Sequence, residues 1–240
     1  MIDKTKRPAL TTAHLKVIAM ISMLLDHAWA TVVDGNLWMN CVGRLAFPIF
    51  AFLVAEGFYH TSNRKRYILR VLVFALISEL PFNLMCGANI YPFHQNVMFT
   101  FLIALCALTL LDRIKDQGNG KFIRASLVLI GAFFVGTFAF VDYGGLGVLT
   151  VLMFYFSKQT KYPIAIQVVF MVCMNWFMMG GQEIPIFGFM FPLQAFALFS
   201  LPLIWLYRGE KGYNSRAMQY GFYAFYPLHI TILVLIATFR

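Results

Sequence analysis

The sequence predicts an all-α fold, a polytopic transmembrane helical bundle of about nine spans with a cytoplasmic N-terminus. Three observations carry that prediction. Hydrophobic residues make up 60% of the 240 and charged residues only 12%, with a mean hydropathy of +0.73; a soluble domain is nearer half apolar and a quarter charged. The apolar residues gather in stretches of roughly 17–20, the length that crosses a bilayer core. Basic residues gather in alternate connecting loops, which is the signature of membrane topology. No long polar linker, internal repeat or low-complexity tail interrupts the pattern, so residues 1–240 read as a single integral-membrane domain.

The first span, about 15–33, follows a basic arm with Lys4, Lys6 and Arg7. Its end, Ala28-Trp29-Ala30, imitates a signal-peptide cleavage site, but the adjacent Asp26 and His27 favour a retained helix. The second, about 39–59, opens near Arg44 and closes on Glu56. "HTSNRKRYILR" leads into the third, about 67–86, which carries Glu79 in "LISELPFN". His94 and Asn96 open the fourth, about 97–112. The fifth covers about 122–141. The sixth, about 144–157, is short enough for a tilted or partly re-entrant segment, and the glycines of "DYGGLGVL" before it suit a tight turn and a close helix contact. The seventh and eighth lie at about 162–180 and 189–206. The ninth, about 221–239, carries Tyr226 and His229 in "FYPLH".

The loops orient this array. The N-terminal arm with Lys16, the cluster Arg64, Lys65, Arg66 and Arg70, then Arg113, Lys115, Lys121 and Arg124, then Lys158 and Lys161, and last Arg208, Lys211 and Arg216 together hold 17 of the 19 basic residues. With nine alternating spans all of these fall on one side. By the positive-inside rule that side is cytoplasmic and the C-terminus lies outside. The net charge of +9 therefore reports topology, and no nucleic-acid motif accompanies it.

Depth follows from counting. Asp26 and His27 lie past the midplane of the first span, and Arg44, Glu79, His94 and Asn96 enter the same outer band, with Asp142 at its border. Ionisable residues at membrane depth face one another or a water-filled cavity, and they mark function by default. Glu56 and His60, at i,i+4 spacing near the interface, read as a local helix pair. Tyr226 and His229, at i,i+3, suit a core hydrogen bond or a ligand contact. Cys41, Cys86, Cys106 and Cys173 read as small buried hydrophobes, although Cys41 and Cys86, both near the outer surface, leave a disulfide open. The five scattered histidines form no metal-binding spacing, so no metal is expected.

One spacing stands out. Lys16 and His27 are 11 residues apart, which is about 1100°, three turns plus roughly 20°, with a rise of about 16 Å. Both side chains point to one face of the helix. A long ligand would lie along that face, its anionic end at Lys16 and its reactive end at His27, and acetyl-CoA has that shape. Arg64, Arg66 and Arg70 are further candidates for the phosphates, though positive-inside topology also explains them.

The blocks "LKVIAMISMLLDHAW" (15–29), "VGRLAFPIFAFLVAEGFYHTSNRKRYILRVLVFALISELPFNL" (42–84), "NVMFTFLIALCAL" (96–108), "DYGGLGVL" (142–149) and "FYAFYPLHI" (222–230) resemble the TraX family, membrane proteins named for N-acetylation of conjugative pilin. Lys16 and His27 also match the Lys/Arg-x10-His pattern of the larger acyltransferase-3 group. The resemblance implies a multi-pass protein of the bacterial cytoplasmic membrane. It would take acetyl-CoA from the cytoplasm and acetylate an acceptor on the far side. The acceptor would be a peptide N-terminus, an amino sugar or an envelope glycan. His27 would be the general base, with Asp26 or Glu79 orienting its imidazole. Adjacent helical residues diverge by about 100°, which favours Glu79. Arg44 or Asn96 would stabilise the oxyanion. His94, Asn96 and Asp142 would border the acceptor, while Lys16, Arg64, Arg66, Arg70, Tyr226 and His229 would serve acetyl-CoA. Direct transfer and an acetyl-histidine intermediate both fit these residues. The rival expectation is a proton-coupled small-molecule transporter, since intramembrane Asp, Glu and His also relay protons.

Overall fold

A computed structural model of the chain describes residues 9–33, 35–87, 91–115, 118–186, 188–213 and 215–240. Lys4, Lys6 and Arg7 of the basic arm lie outside the described residues, as does the side chain of Arg216. Ten α-helices dominate these residues, joined by a two-stranded hairpin, a π-helical turn and a 3-10 segment. The helices are α1 (Thr12–Thr31), α2 (Leu37–Gly43), α3 (Ala46–His60), α4 (Arg64–Gly87), α5 (Val97–Ile114), α6 (Lys121–Phe138), α7 (Gly144–Ser157), α8 (Pro163–Val172), α9 (Ser200–Trp205) and α10 (Arg216–Phe239). The all-α membrane architecture is borne out. Among the described residues five segments are long and apolar enough to cross a bilayer: Leu37–His60, Arg64–Gly87, Val97–Ile114, Lys121–Phe138 and Ala217–Phe239.

The expected spans differ from these helices in instructive places. The second is broken at Arg44–Leu45 into α2 and α3. Pro48 has no N–H to donate to the Arg44 carbonyl four residues back, and its ring crowds that carbonyl. The seventh continues from α8 into a π-helical turn, Cys173–Met178. The eighth is not a regular span. It begins with β2 (Phe189–Pro192), which pairs antiparallel with β1 (Glu183–Ile186) before it, and goes on through a 3-10 segment, Leu193–Phe199, into α9. Left-handed Gly180, Gly181 and Gly188 turn the chain here, and Pro185 and Pro192 deny the helix its hydrogen bonds. α1 runs unbroken through Ala28-Trp29-Ala30. All four cysteines are free, Cys41 and Cys86 included, and Cys86, Cys106 and Cys173 are exposed rather than buried as expected.

The sixth expected span is short, as predicted, with 14 residues. As α7 it is the central helix, packed against α3, α5, α6 and α8. Phe47, Ile49, Phe101, Leu105, Leu108, Val148, Val151 and Leu152 form the main core around it. Glycine permits this: a Cβ on Gly145 would overlap the Phe133 carbonyl oxygen of α6. That obstacle is backbone and cannot rotate away. Gly145→Ala is therefore expected to force α6 and α7 apart and to lower stability by about 2 kcal/mol, within the range for overpacking. Thermal unfolding of the purified variant in detergent measures it, and an unchanged midpoint would contradict the close approach.

The first and last helices set up the site. Leu10 bridges to Tyr207, and the Thr12 N–H donates to the Glu210 carbonyl at 2.9 Å, so α1 and α10 start at the same end. They then run parallel. Lys16 Nζ lies 4.5 Å over the Phe222 ring near that end, and Arg240 donates to the Val32 carbonyl at the other. Between them Met23, Tyr226 and Ile230 form a second buried cluster. The face shared by Lys16 and His27 is thus the face α1 turns to α10.

Candidate functional site

Asp26 and His27 are neighbours in sequence, but the helix sends them in different directions. Asp26 faces the α2–α3 break. Both its oxygens accept from Arg44 Nη2, at 2.6 and 2.8 Å, and Oδ1 accepts from Asn40 Nδ2 at 2.7 Å. The ion pair is largely enclosed, with side-chain exposures of 20% and 19%. A Cβ at Gly43 would overlap the Asp26 side chain, so glycine is what lets α2 approach α1 here. Arg44 reaches inward because the Pro48 break redirects the chain at that residue.

His27 faces α10. Its Nδ1 lies 2.8 Å from His229 Nε2, and the two rings are nearly parallel, with centroids 4.9 Å apart. His229 Nδ1 in turn lies 2.6 Å from the Phe225 carbonyl oxygen. A carbonyl can only accept, so His229 carries its proton on Nδ1. In a neutral ring its Nε2 then accepts. His27 must therefore donate from Nδ1, which leaves the lone pair of His27 on Nε2. Tyr226 stands edge-on to His27, centroids 6.3 Å apart. The partner of the His27 imidazole is therefore His229, not Asp26 or Glu79. His229, expected to serve acetyl-CoA, lies beside His27.

Glu79 is occupied elsewhere. Its Oε1 accepts from Asn83 Nδ2 at 2.9 Å and its Oε2 from Asn96 Nδ2 at 2.5 Å. Asn96 also donates to the Ala75 carbonyl and caps α5 by accepting from the Met98 N–H at 3.0 Å. Both residues are spent on fastening α4 to the start of α5. Asn96 thus has no donor left for an oxyanion, and Arg44 remains the candidate.

The turn before α7 completes the surroundings. Phe140 and Tyr143 both adopt left-handed φ, 53° and 62°, a conformation uncommon for bulky residues. The turn is held by hydrogen bonds between the Asp142 N–H and the Gln95 carbonyl at 2.8 Å, and from Thr100 Oγ1 to the Asp142 carbonyl at 2.5 Å. It places Tyr143 and Asp142 within electrostatic range of Arg44, and Tyr143 stacks on Phe47 with centroids 3.9 Å apart. Burial pushes the Asp142 carboxyl up to about 6, against the pull of His94 and Arg44. His94 itself lies against Phe82.

At the basic end the predicted cations have different fates. Arg64 pairs with Asp112, which Lys115 also contacts at 3.0 Å. Arg66 is exposed, and Arg70 lies 5.7 Å over the Tyr67 ring. Glu56 binds His60 at 2.9 Å as its spacing predicted, but it also takes Lys158, at the C-terminal cap of α7, at 2.7 Å. No metal-binding group of His, Cys, Asp and Glu occurs among the described residues.

Sequence reasoning missed Asn40, Tyr143, Asn175 and Gln194. Gln194 Oε1 accepts from Arg44 Nη1 at 3.3 Å, and Gln194 Nε2 donates to Asn175 Oδ1 at 3.1 Å. The available signal was an amide inside an apolar run, as in "LWMNCVG" and "CMNWFM". Such a group must find a partner there.

The sequence matches the model of a family described as "TraX protein" over residues 11–237. It is 30% identical to a probable fimbrial assembly protein FimC, serogroup H1, of Dichelobacter nodosus, across 91% of this chain and 92% of that protein. Shorter similarities reach Protein TraX of Escherichia coli K12, 31% identical over 40% of this chain and 38% of that protein, and Protein TraX of Escherichia coli, 27% over 59% and 54%. No solved structure matches.

Proposed function

Because the chain belongs to the TraX protein family, we propose that it is a membrane-embedded acetyltransferase. It moves an acetyl group from cytoplasmic acetyl-CoA to an amine or hydroxyl near the extracytoplasmic face of the bacterial inner membrane. The observation that carries this reading is the relay from the Phe225 carbonyl through His229 to His27, which leaves His27 Nε2 as a positioned base. Nε2 takes the proton from the attacking N–H or O–H. A bond forms between that nitrogen or oxygen and the acetyl carbon, the C–S bond breaks, and the proton passes to the departing CoA sulfur. The imidazolium formed in between keeps its Nδ1–H on His229. Arg44, within electrostatic range of His27, would face the negative charge that develops on the acetyl oxygen.

Lys16 sits on the same face of α1, about 16 Å away along the helix axis. Its ammonium rests on the Phe222 ring and carries charge toward the CoA phosphates. Arg66 and Arg70 are better supported for this role than Arg64, whose guanidinium is engaged by Asp112. Asp142, within electrostatic range of Arg44 and His94, borders the acceptor with His94.

The test is purified protein in proteoliposomes with labelled acetyl-CoA and a panel of peptide amines, amino sugars and glycan hydroxyls. Label is expected to transfer to an acceptor. Lys16→Ala is expected to raise KM for acetyl-CoA about tenfold with little change in kcat, as loss of uniform binding does. Neither acetylated acceptor nor CoA release from any combination would overturn the reading.

A further inference from the structure

Two buried amides have no part in the reaction just described. Asn175 sits in the π-helical turn and Gln194 in the 3-10 segment, 2% and 8% exposed. Their hydrogen bonds run in one direction. Asn175 Nδ2 donates to the Met171 carbonyl at 2.9 Å, Gln194 Nε2 donates to Asn175 Oδ1, and Arg44 Nη1 donates to Gln194 Oε1. Each step fixes the next. The Met171 carbonyl only accepts, so Asn175 presents its oxygen to Gln194, and Gln194 presents its oxygen to Arg44. π-Helical turns of this kind recur at functional sites.

The guanidinium is thus clamped from two sides, Nη2 by Asp26 and Nη1 by Gln194. Held by Asp26 alone, it would pivot about that contact. Arg44 Nε stays out of the clamp: it is buried and has no hydrogen-bond partner among the described residues. A buried unpaired donor costs about 1–3 kcal/mol, and a ligand oxygen would remove that cost. We infer that Gln194 and Asn175 are positioning residues, which orient Arg44 so that its Nε–H meets the carbonyl oxygen of the transferred acetyl group. The inference rests on the acetyl-transfer reading. That oxygen gains charge as the acceptor attacks, and the Nε–H bond strengthens with it.

Full-length protein in proteoliposomes is assayed for CoA thiol release from acetyl-CoA, with hydroxylamine as the acceptor probe. Gln194→Ala and Asn175→Ala are each expected to lower kcat about tenfold, less than outright loss of an oxyanion donor, with KM for acetyl-CoA within about twofold. The double variant is expected to be no slower than the slower single one, because both act through one guanidinium. Gln194→Met and Asn175→Leu, which fill similar volume without these bonds, replace any alanine variant that does not fold. Unchanged kcat, losses that multiply, or a loss that falls on KM would overturn the inference. His27-dependent release by the unmodified protein would still leave the acetyl-transfer reading standing. Release no faster than from His27→Ala would sink that reading, and the inference with it.

Discussion

Alanine at position 27 is expected to lower acetyl transfer at least about a hundredfold, the lower end of what a positioned general base contributes, while leaving a folded protein. The side chain is only partly buried, and its loss removes one hydrogen bond, to His229. The more informative substitution is His229→Ala. It leaves His27 in place but removes the acceptor that fixes the Nδ1–H tautomer, so the base nitrogen is no longer reserved. A loss of about a hundredfold or more is expected, as for other histidines deprived of their orienting partner. His229→Gln, whose side-chain oxygen can accept from His27 Nδ1, is expected to recover part of it. Rates are measured on monodisperse protein with saturating acetyl-CoA. A His229→Ala variant as fast as the unmodified protein would show that the relay plays no part in transfer.

Asp26→Ala should act through stability rather than through the imidazole. It leaves Arg44 enclosed without its counter-charge, and breaking such a pair costs about 3–5 kcal/mol. With about a fifth of each side chain exposed, the expected loss is about 3 kcal/mol. Arg44→Ala strands Asp26 in the same way. The double variant Asp26→Leu with Arg44→Met is expected to regain most of the stability but not the activity, because it removes both charges together with the proposed oxyanion donor. Denaturant unfolding in micelles, paired with the transfer assay, separates the two effects. Single variants as stable as the unmodified protein would mean that the pair is solvated and incidental.

Parts of this site were legible in the sequence. The 11-residue interval puts Lys16 and His27 on one face of α1, and the structure turns that face to α10, with Phe222 at one end and His229 at the other. The Glu56–His60 pair follows from its spacing too. Within one helix, spacing alone sets direction. The break at Arg44 was also written in the chain, as Pro48 four residues on. The hairpin at 183–192 was not: "FMFP" opens the apolar run at 189–206, and only its paired backbone shows a strand there.

Partner choice is where sequence reasoning ran out. Asp26 and Glu79 were both reasonable neighbours for His27 by type and depth, whereas His229 was expected with acetyl-CoA. Depth orders residues along the membrane normal but says nothing of the angle at which separate helices face each other. Asp26 went to Arg44 because α2 packs against α1 through Gly43. Glu79 went to Asn83 and Asn96 because α4 and α5 meet there. Composition and apolar run length determined by themselves that this chain is a helical membrane protein with polar groups inside its apolar runs. The tertiary structure alone decided which of those groups touch, because a hydrogen bond between helices depends on rotation and close approach, to which the spacing of residues along one chain is blind.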